Sequence, residues 1–191
     1  MLNNIINKNI LFLQRHGVKM GSDDNKAVYK YGLQILYYFL IDLVIIFSLA
    51  YFFGKIYETV IMTFIFGLFQ VFGGGYHAKT PLICLLIMII GLTAGNVLIV
   101  ILSDKYIFNI VLVFILIFVI LFSSPVSNKK HPISKKIKRR SKLIFKISGI
   151  FILVIVFILV HFHKYIEVAI ITITLGLYLI SMAIAKINNI Y

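Results

Sequence analysis

Between Ile107 and Ser123 the chain carries no charged side chain, and five further stretches are nearly as apolar: Leu33–Phe53, Ile56–Phe72, Leu82–Leu102, Leu143–Val160 and Ile166–Ala185. A bilayer's hydrocarbon core, about 30 Å thick, takes about 20 apolar residues per helix. Six such runs commit most of the chain to lipid. Strands of a β-barrel would alternate polar and apolar residues, which these runs do not. The second run is the weakest, because Glu58 leaves only Thr59–Phe72 uncharged; it predicts a short tilted span or a re-entrant segment buried against its neighbours. The expected fold is an all-α integral membrane protein with about six transmembrane helices.

Composition excludes the alternatives. Hydrophobic residues make up 61% of the chain and charged residues 13%, with a mean hydropathy of +1.04. Soluble domains hold roughly 45–50% and about 25%. A soluble enzyme, a disordered tail, a collagen-like fibre and a disulfide scaffold are all ruled out. The single cysteine, Cys84, excludes an intramolecular disulfide and a cysteine-rich metal site.

Nineteen Lys and Arg face six Asp and Glu, a formal net charge of +13. Most of the basic residues sit between apolar runs, which points to anionic lipid, topology or an acidic peptide partner; no nucleic-acid partner is expected. With six spans, sixteen basic residues fall on one side and only Lys55, Lys105 and Lys164 on the other. Positive residues stay inside. Both termini, Lys79 and the stretch Lys129–Lys142 are therefore expected in the cytoplasm, with Tyr51, Tyr57, Tyr106 and Tyr165 as an outer aromatic belt.

Residues 1–32 read as a cytoplasmic amphipathic segment, and 33–191 as a polytopic membrane domain. Leu2, Ile5, Ile6, Ile10, Leu13 and Val18 can share one helical face, which predicts a short helix in the membrane interface. Gly21-Ser22-Asp23-Asp24 ends it, with Ser22 or Asp23 placed to cap the next helix. Met1–Met20 lacks a compact apolar core followed by a small-residue cleavage site, so the first true span is expected to hold the chain in the membrane.

One connection, residues 73–84, differs chemically from the rest: Gly73-Gly74-Gly75-Tyr76-His77-Ala78-Lys79-Thr80-Pro81-Leu82-Ile83-Cys84. Glycines permit positive φ and close approach of another chain. Thr80 then Pro81 reads as an N-cap with proline at the first helical position. Cys84 would lie within the first turn or so of the third span, where the positive dipole end favours a thiolate. On one continuous helix His77 and Cys84 would be separated by about 10 Å of rise. With the helix starting at Thr80-Pro81, His77 can fold back over the sulfur, and a thiol beside an imidazole is the minimal nucleophile of a cysteine peptidase.

Competing readings exist for each part. A lone membrane cysteine can be a small hydrophobe and a loop histidine merely solvated. Zinc normally needs four ligands, so no metal or other cofactor is expected. His161 and His163 are most simply interfacial. Gln70, Gly75 and Asp42 are auxiliary candidates: Gln70 to orient His77 or donate to an oxyanion, Asp42 because an intramembrane carboxylate is costly, although it can equally pair with Asn96 or a backbone group. Two further functions remain open, a non-catalytic membrane scaffold that escorts a peptide and a small transporter subunit with Asp42 and Asn96 as its polar path.

Gly74-Gly75-Tyr76-His77-Ala78-Lys79 followed by Cys84 resembles the signature of the accessory gene regulator B (AgrB) family, bacterial membrane endopeptidases that process quorum-sensing propeptides. Length, span pattern, the basic N-terminal segment and Lys129-Lys130-His131-Pro132-Ile133 extend the resemblance over nearly the whole chain. Gln70 with its apolar neighbours departs from the basic residues expected before the glycines in many members. The resemblance implies that His77 and Cys84 are the catalytic pair of a multi-pass bacterial cell-membrane protein. It implies a Cys84 acyl-enzyme, release of the propeptide's C-terminal tail, and ring closure to a thiolactone or lactone. The implied substrate has an amphipathic N-terminal helix and an acidic tail, which Lys129, Lys130, Lys135, Lys136, Lys138, Arg139 and Arg140 in the basic stretch 124–142 would hold. Membrane lipid and a second copy, in a homodimer, are the other candidate partners.

Overall fold

The computed structural model describes residues 2–16, 23–76, 78, 80–123 and 135–188, with the side chains of 2–4, 23–26, 135, 136 and 188 outside that description. The readings placed on Ser22, His77, Lys79, Lys129 and Lys130 fall outside the described residues. The described residues form helices α1 (Leu2–Arg15), α2 (Asp23–Phe52), α3 (Ile56–Gly73), α4 (Pro81–Leu102), α5 (Tyr106–Phe122), α6 (Lys135–His161) and α7 (Tyr165–Asn188). Five of them (α2, α3, α4, α6 and α7) contain segments long and apolar enough to cross a membrane, and α5 is a shorter apolar helix of 17 residues.

The second apolar run is one unbroken 18-residue helix, α3, about 27 Å long. It is long and apolar enough to cross a membrane as a single short helix. Glu58 does not interrupt it, because it lies in the first turn, where the helix dipole favours an anion, and its Oε1 receives the Lys55 ammonium at 2.9 Å. Two other helices start earlier than the apolar runs suggest. α2 begins at Asp23, ten residues before Leu33, and α6 at Lys135, eight before Leu143. The stretch 135–142 is thus helix, not loop. Lys and Arg have high helix propensity, and the sequence from Lys135 onward holds no proline to stop the helix from growing.

The chain divides into two compact units, Met1–Leu49 and Ala50–Tyr191. In the first, α1 buries Ile6 and Ile10, one turn apart, while Asn7, Lys8, Gln14 and Arg15 are exposed. Of the apolar face read from the sequence, Ile6 and Ile10 are thus buried and Leu13 half-buried, whereas Ile5 is exposed. Asn9 donates from Nδ2 to the Tyr37 hydroxyl of α2.

In the second unit α7 is central: α3, α4, α5 and α6 all pack on it, and every residue from Val168 to Leu175 is buried. Tyr57 of α3 donates to Glu167 of α7 at 3.4 Å, and Tyr106 of α5 stacks on Tyr165 of α7 with centroids 4.9 Å apart. These three helices therefore start at one end of the unit, and α4 and α6 return between them. Phe69, Val113, Ile117, Ile120, Phe145, Val156, Leu175 and Tyr178 form the core.

Hydrogen bonds tie the helix ends where the bilayer offers none. Asn109 Nδ2 donates at 2.7 Å to the carbonyl of Leu102 at the end of α4, which also accepts the Lys105 amide at 3.0 Å. The Asn109 carbonyl in turn lies 3.2 Å from the Thr172 hydroxyl of α7. Asn109→Ala removes one side-chain bond to a carbonyl that keeps the Lys105 amide at 3.0 Å, and should therefore cost about 0.5–1.5 kcal/mol. Thr174→Val removes only a bond back to Ile170 within α7 and should cost less. Thermal unfolding in detergent micelles would compare the two.

Candidate active site

The connection between α3 and α4 is built from three glycines, each required for a different reason. At Gly73 a Cβ would fall 2.1 Å from the Tyr178 hydroxyl and 2.3 Å from the Phe145 ring, so α3 can meet α6 and α7 here only without a side chain. Gly74 leaves the helix with φ of 72°, a left-handed value that glycine adopts without penalty. At Gly75 a Cβ would lie 2.0 Å from Gln70 Oε1.

The loop backbone is held from both sides. Tyr178 donates its hydroxyl to the Gly74 carbonyl at 3.1 Å. The Tyr76 amide donates to Ser181 Oγ at 3.1 Å, and Gln70 Nε2 donates to the Tyr76 carbonyl at 3.2 Å. Gln70 Oε1 is buried with no hydrogen-bond partner among the described residues. Beneath the loop, Phe69 meets the Phe145 ring edge-on with centroids 5.7 Å apart, and Tyr178 lies against both. These rings fix the height at which the Tyr178 hydroxyl meets the chain.

On the far side of the loop, α4 starts where the sequence indicates. Thr80 is the N-cap in extended geometry (φ −128°, ψ 147°), its side chain accepts the Ile83 amide, and Pro81 opens the helix. The Cys84 amide makes the first bond of the new helix, to the Thr80 carbonyl at 3.1 Å. The half-buried Cys84 thus sits in the first turn of α4. The dipole there lowers the cost of a thiolate.

Of the other candidates, Gln70 and Gly75 are brought into contact, and the Gln70 amide is engaged with the loop backbone. Asp42 is half-buried on α2, in the first unit. Asn96, in the second unit, donates from Nδ2 to Thr59 Oγ1 at 3.2 Å and to the Leu92 carbonyl at 3.0 Å. Lys138, Arg139 and Arg140 are exposed on the early turns of α6. Lys135 and Lys136 open that helix.

Sequence reasoning missed Tyr178, Ser181 and Phe145. Tyr178 and Ser181 lie more than 100 residues from their loop partners. Their one visible trace is two hydroxyls, three residues apart, in an otherwise apolar stretch of α7. The three glycines should respond differently to a methyl group. Gly73→Ala meets rings that cannot retreat and should unfold or strongly destabilise the protein. Gly75→Ala meets only the end of a flexible side chain, and adding Gln70→Ala should recover most of its loss of thermal stability.

A family-level comparison now bears on this arrangement. The family model for AgrB, accessory gene regulator B, matches residues 2–184. An AgrB-like protein of Clostridium acetobutylicum is 29% identical over 135 residues, which cover 68% of this chain and 63% of the relative. The match thus spans less than two thirds of that relative's length. No solved structure matches this chain. With the family match running from α1 into α7, across the glycine loop and Cys84, this multi-pass membrane protein belongs to the accessory gene regulator B family.

Proposed function

We propose that the protein is a membrane cysteine endopeptidase that processes the propeptide of an accessory gene regulator autoinducer, with Cys84 as nucleophile and His77 as its base. The observation that carries this reading is Cys84 in the first turn of α4, behind a capped helix start and next in sequence to a loop whose backbone is pinned. Family membership supplies the substrate class.

The chemistry runs in two acyl transfers. His77 takes the Cys84 proton, and the thiolate attacks a propeptide carbonyl. The C–N bond breaks, the imidazolium gives its proton to the departing amine of the tail, and a thioester on Cys84 remains. A Cys or Ser side chain of the same peptide then loses its proton to His77 and attacks that thioester. The thiolactone or lactone ring closes and the Cys84 thiolate is released to take back the proton. Thiol-to-thiol transfer nearly conserves bond energy whereas water would discard it, so a half-buried thiol suits the second step.

On this reading Cys84→Ala, Cys84→Ser and His77→Ala abolish cleavage while leaving the protein in the membrane. A Cys84–peptide thioester sensitive to hydroxylamine should be trapped and seen by mass spectrometry. Normal cleavage by Cys84→Ala would remove the peptidase and leave the scaffold or transporter reading.

The basic residues of the site side complete the proposal. Both termini, residue 79 and the start of α6 face the cytoplasm, and Lys138, Arg139 and Arg140, with Lys129, Lys130, Lys135 and Lys136, attract the acidic tail. Charges facing water are screened beyond about 8–10 Å at physiological ionic strength. Replacing Lys138, Arg139 and Arg140 by Gln should weaken substrate capture at low salt, with less effect as salt rises. A cysteine at position 79, with Cys84 replaced by alanine, should resist an impermeant thiol reagent added outside. Unchanged capture in correctly oriented protein would leave the charges a topological role alone.

A further inference from the structure

We infer that Tyr178 and Ser181 of α7 are positioning residues that hold the histidine-bearing loop in register with the thiol. The inference rests on the peptidase reading above. The two side chains stand three residues apart, so they project from the same face of α7. They hold the backbone on either side of Gly75: Tyr178 takes the Gly74 carbonyl and Ser181 the Tyr76 amide, each at 3.1 Å. Gln70 takes the Tyr76 carbonyl from α3. Both backbone polar groups of Tyr76 are therefore fixed by side chains.

The consequence follows from covalent geometry. The Tyr76 carbonyl shares one rigid peptide plane with the nitrogen of residue 77. Fixing that oxygen, together with the amide one residue earlier, fixes the direction in which the chain enters residue 77. No hydrogen bond of regular helix performs this task, because the segment from Gly74 to Tyr76 is non-helical. Gly74 and Gly75 would otherwise leave this segment more conformational freedom than residues with a side chain allow. Helix α7 is the right support, since it is the most deeply packed helix of its unit. Tyr178 is itself clamped by Phe66, Phe69 and Phe145. Transfer of a proton between an imidazole and a thiol depends on sub-ångström alignment, and a misplacement of about 1 Å can cost about a hundredfold in rate.

The test uses the full-length protein in membranes or micelles, with Ser181→Ala, Ser181→Thr and Tyr178→Phe. Two quantities are read: kcat and KM for propeptide cleavage, and the pH profile of Cys84 alkylation by iodoacetamide. Ser181→Ala should lower kcat by about 10- to 100-fold with KM unchanged. It should also move the alkylation profile to higher pH, because the thiolate loses its imidazolium partner. Ser181→Thr keeps the acceptor and should restore both. Tyr178→Phe keeps the ring and removes only the hydroxyl; it should act in the same direction. Wild-type kcat and an unshifted profile in both Ser181→Ala and Tyr178→Phe would overturn the inference. So would a loss of activity that merely follows the loss of folded protein, with the profile unshifted. Cleavage by Cys84→Ala would instead strike the underlying peptidase reading, which the Ser181 result alone cannot do.

Discussion

In hydrocarbon, a backbone N–H or C=O that leaves a helix must find its partner within the protein. The whole second unit is arranged around that demand. Where chain direction reverses tightly, the helix itself supplies the partners: Lys55 N–H reaches back to the Ala50 carbonyl at 2.8 Å and Gly54 N–H to Tyr51 at 3.1 Å. The turn after α6 repeats the pattern, with Lys164 bonded to Leu159 and His163 to Val160. His163 adopts a left-handed φ of 54°, in the same region as Gly54 at 63°. In the glycine loop the Gly74 N–H makes one such local bond, to the Gln70 carbonyl at 3.1 Å, but the Gly74 carbonyl and both polar groups of Tyr76 are taken by side chains. The partners there come from α7 and from Gln70, and a loop that needs side chains of two helices to satisfy its backbone is a loop whose shape those helices control.

That division explains what the sequence disclosed and what it withheld. The apolar runs, the Thr80-Pro81 start of α4 and the amphipathic face of α1 are local, and each is visible because one segment alone carries the physics. The same holds for Glu58: an acid in the first turn of a helix is locally sensible, so it weakened the hydropathy of α3 without ending the span. The capping signal at Ser22 or Asp23 agrees with α2 starting at Asp23, whereas α6 starts eight residues before its apolar run, because apolar runs mark the lipid and helices extend as far as propensity allows. Lys135–Lys142 continues α6 as helix even though its charge keeps it out of hydrocarbon.

The site was legible in a different way. Three adjacent glycines announce an unusual backbone, but not which of them needs positive φ and which needs space. Only the packing of Tyr178 and Phe145 on Gly73, and of Gln70 on Gly75, separates those causes. Gln70 is a clear instance. Its sequence position suggested an auxiliary in the chemistry, and its amide is found holding the Tyr76 carbonyl. The contribution of Ser181 depends on a contact spanning 105 residues, which no periodicity can report.

The two ends of the unit therefore place opposite requirements on one helix. α7 begins among the tight turns, where Glu167 takes the Tyr57 hydroxyl and Tyr165 stacks on Tyr106. It continues as a fully buried stretch through Leu175, and then turns its hydroxyls on the loop. A helix locked at its start and middle cannot slide or rotate without breaking its core contacts, since packed interiors are close to crystalline in density. Its far end is consequently a fixed reference for a segment that has no regular structure of its own. A cysteine at a helix start is common enough as a packing residue. If Cys84 is the nucleophile proposed above, what suits its neighbourhood to chemistry is that the glycine-rich segment Gly74–Tyr76 is held by hydroxyls of the most deeply packed helix of the unit.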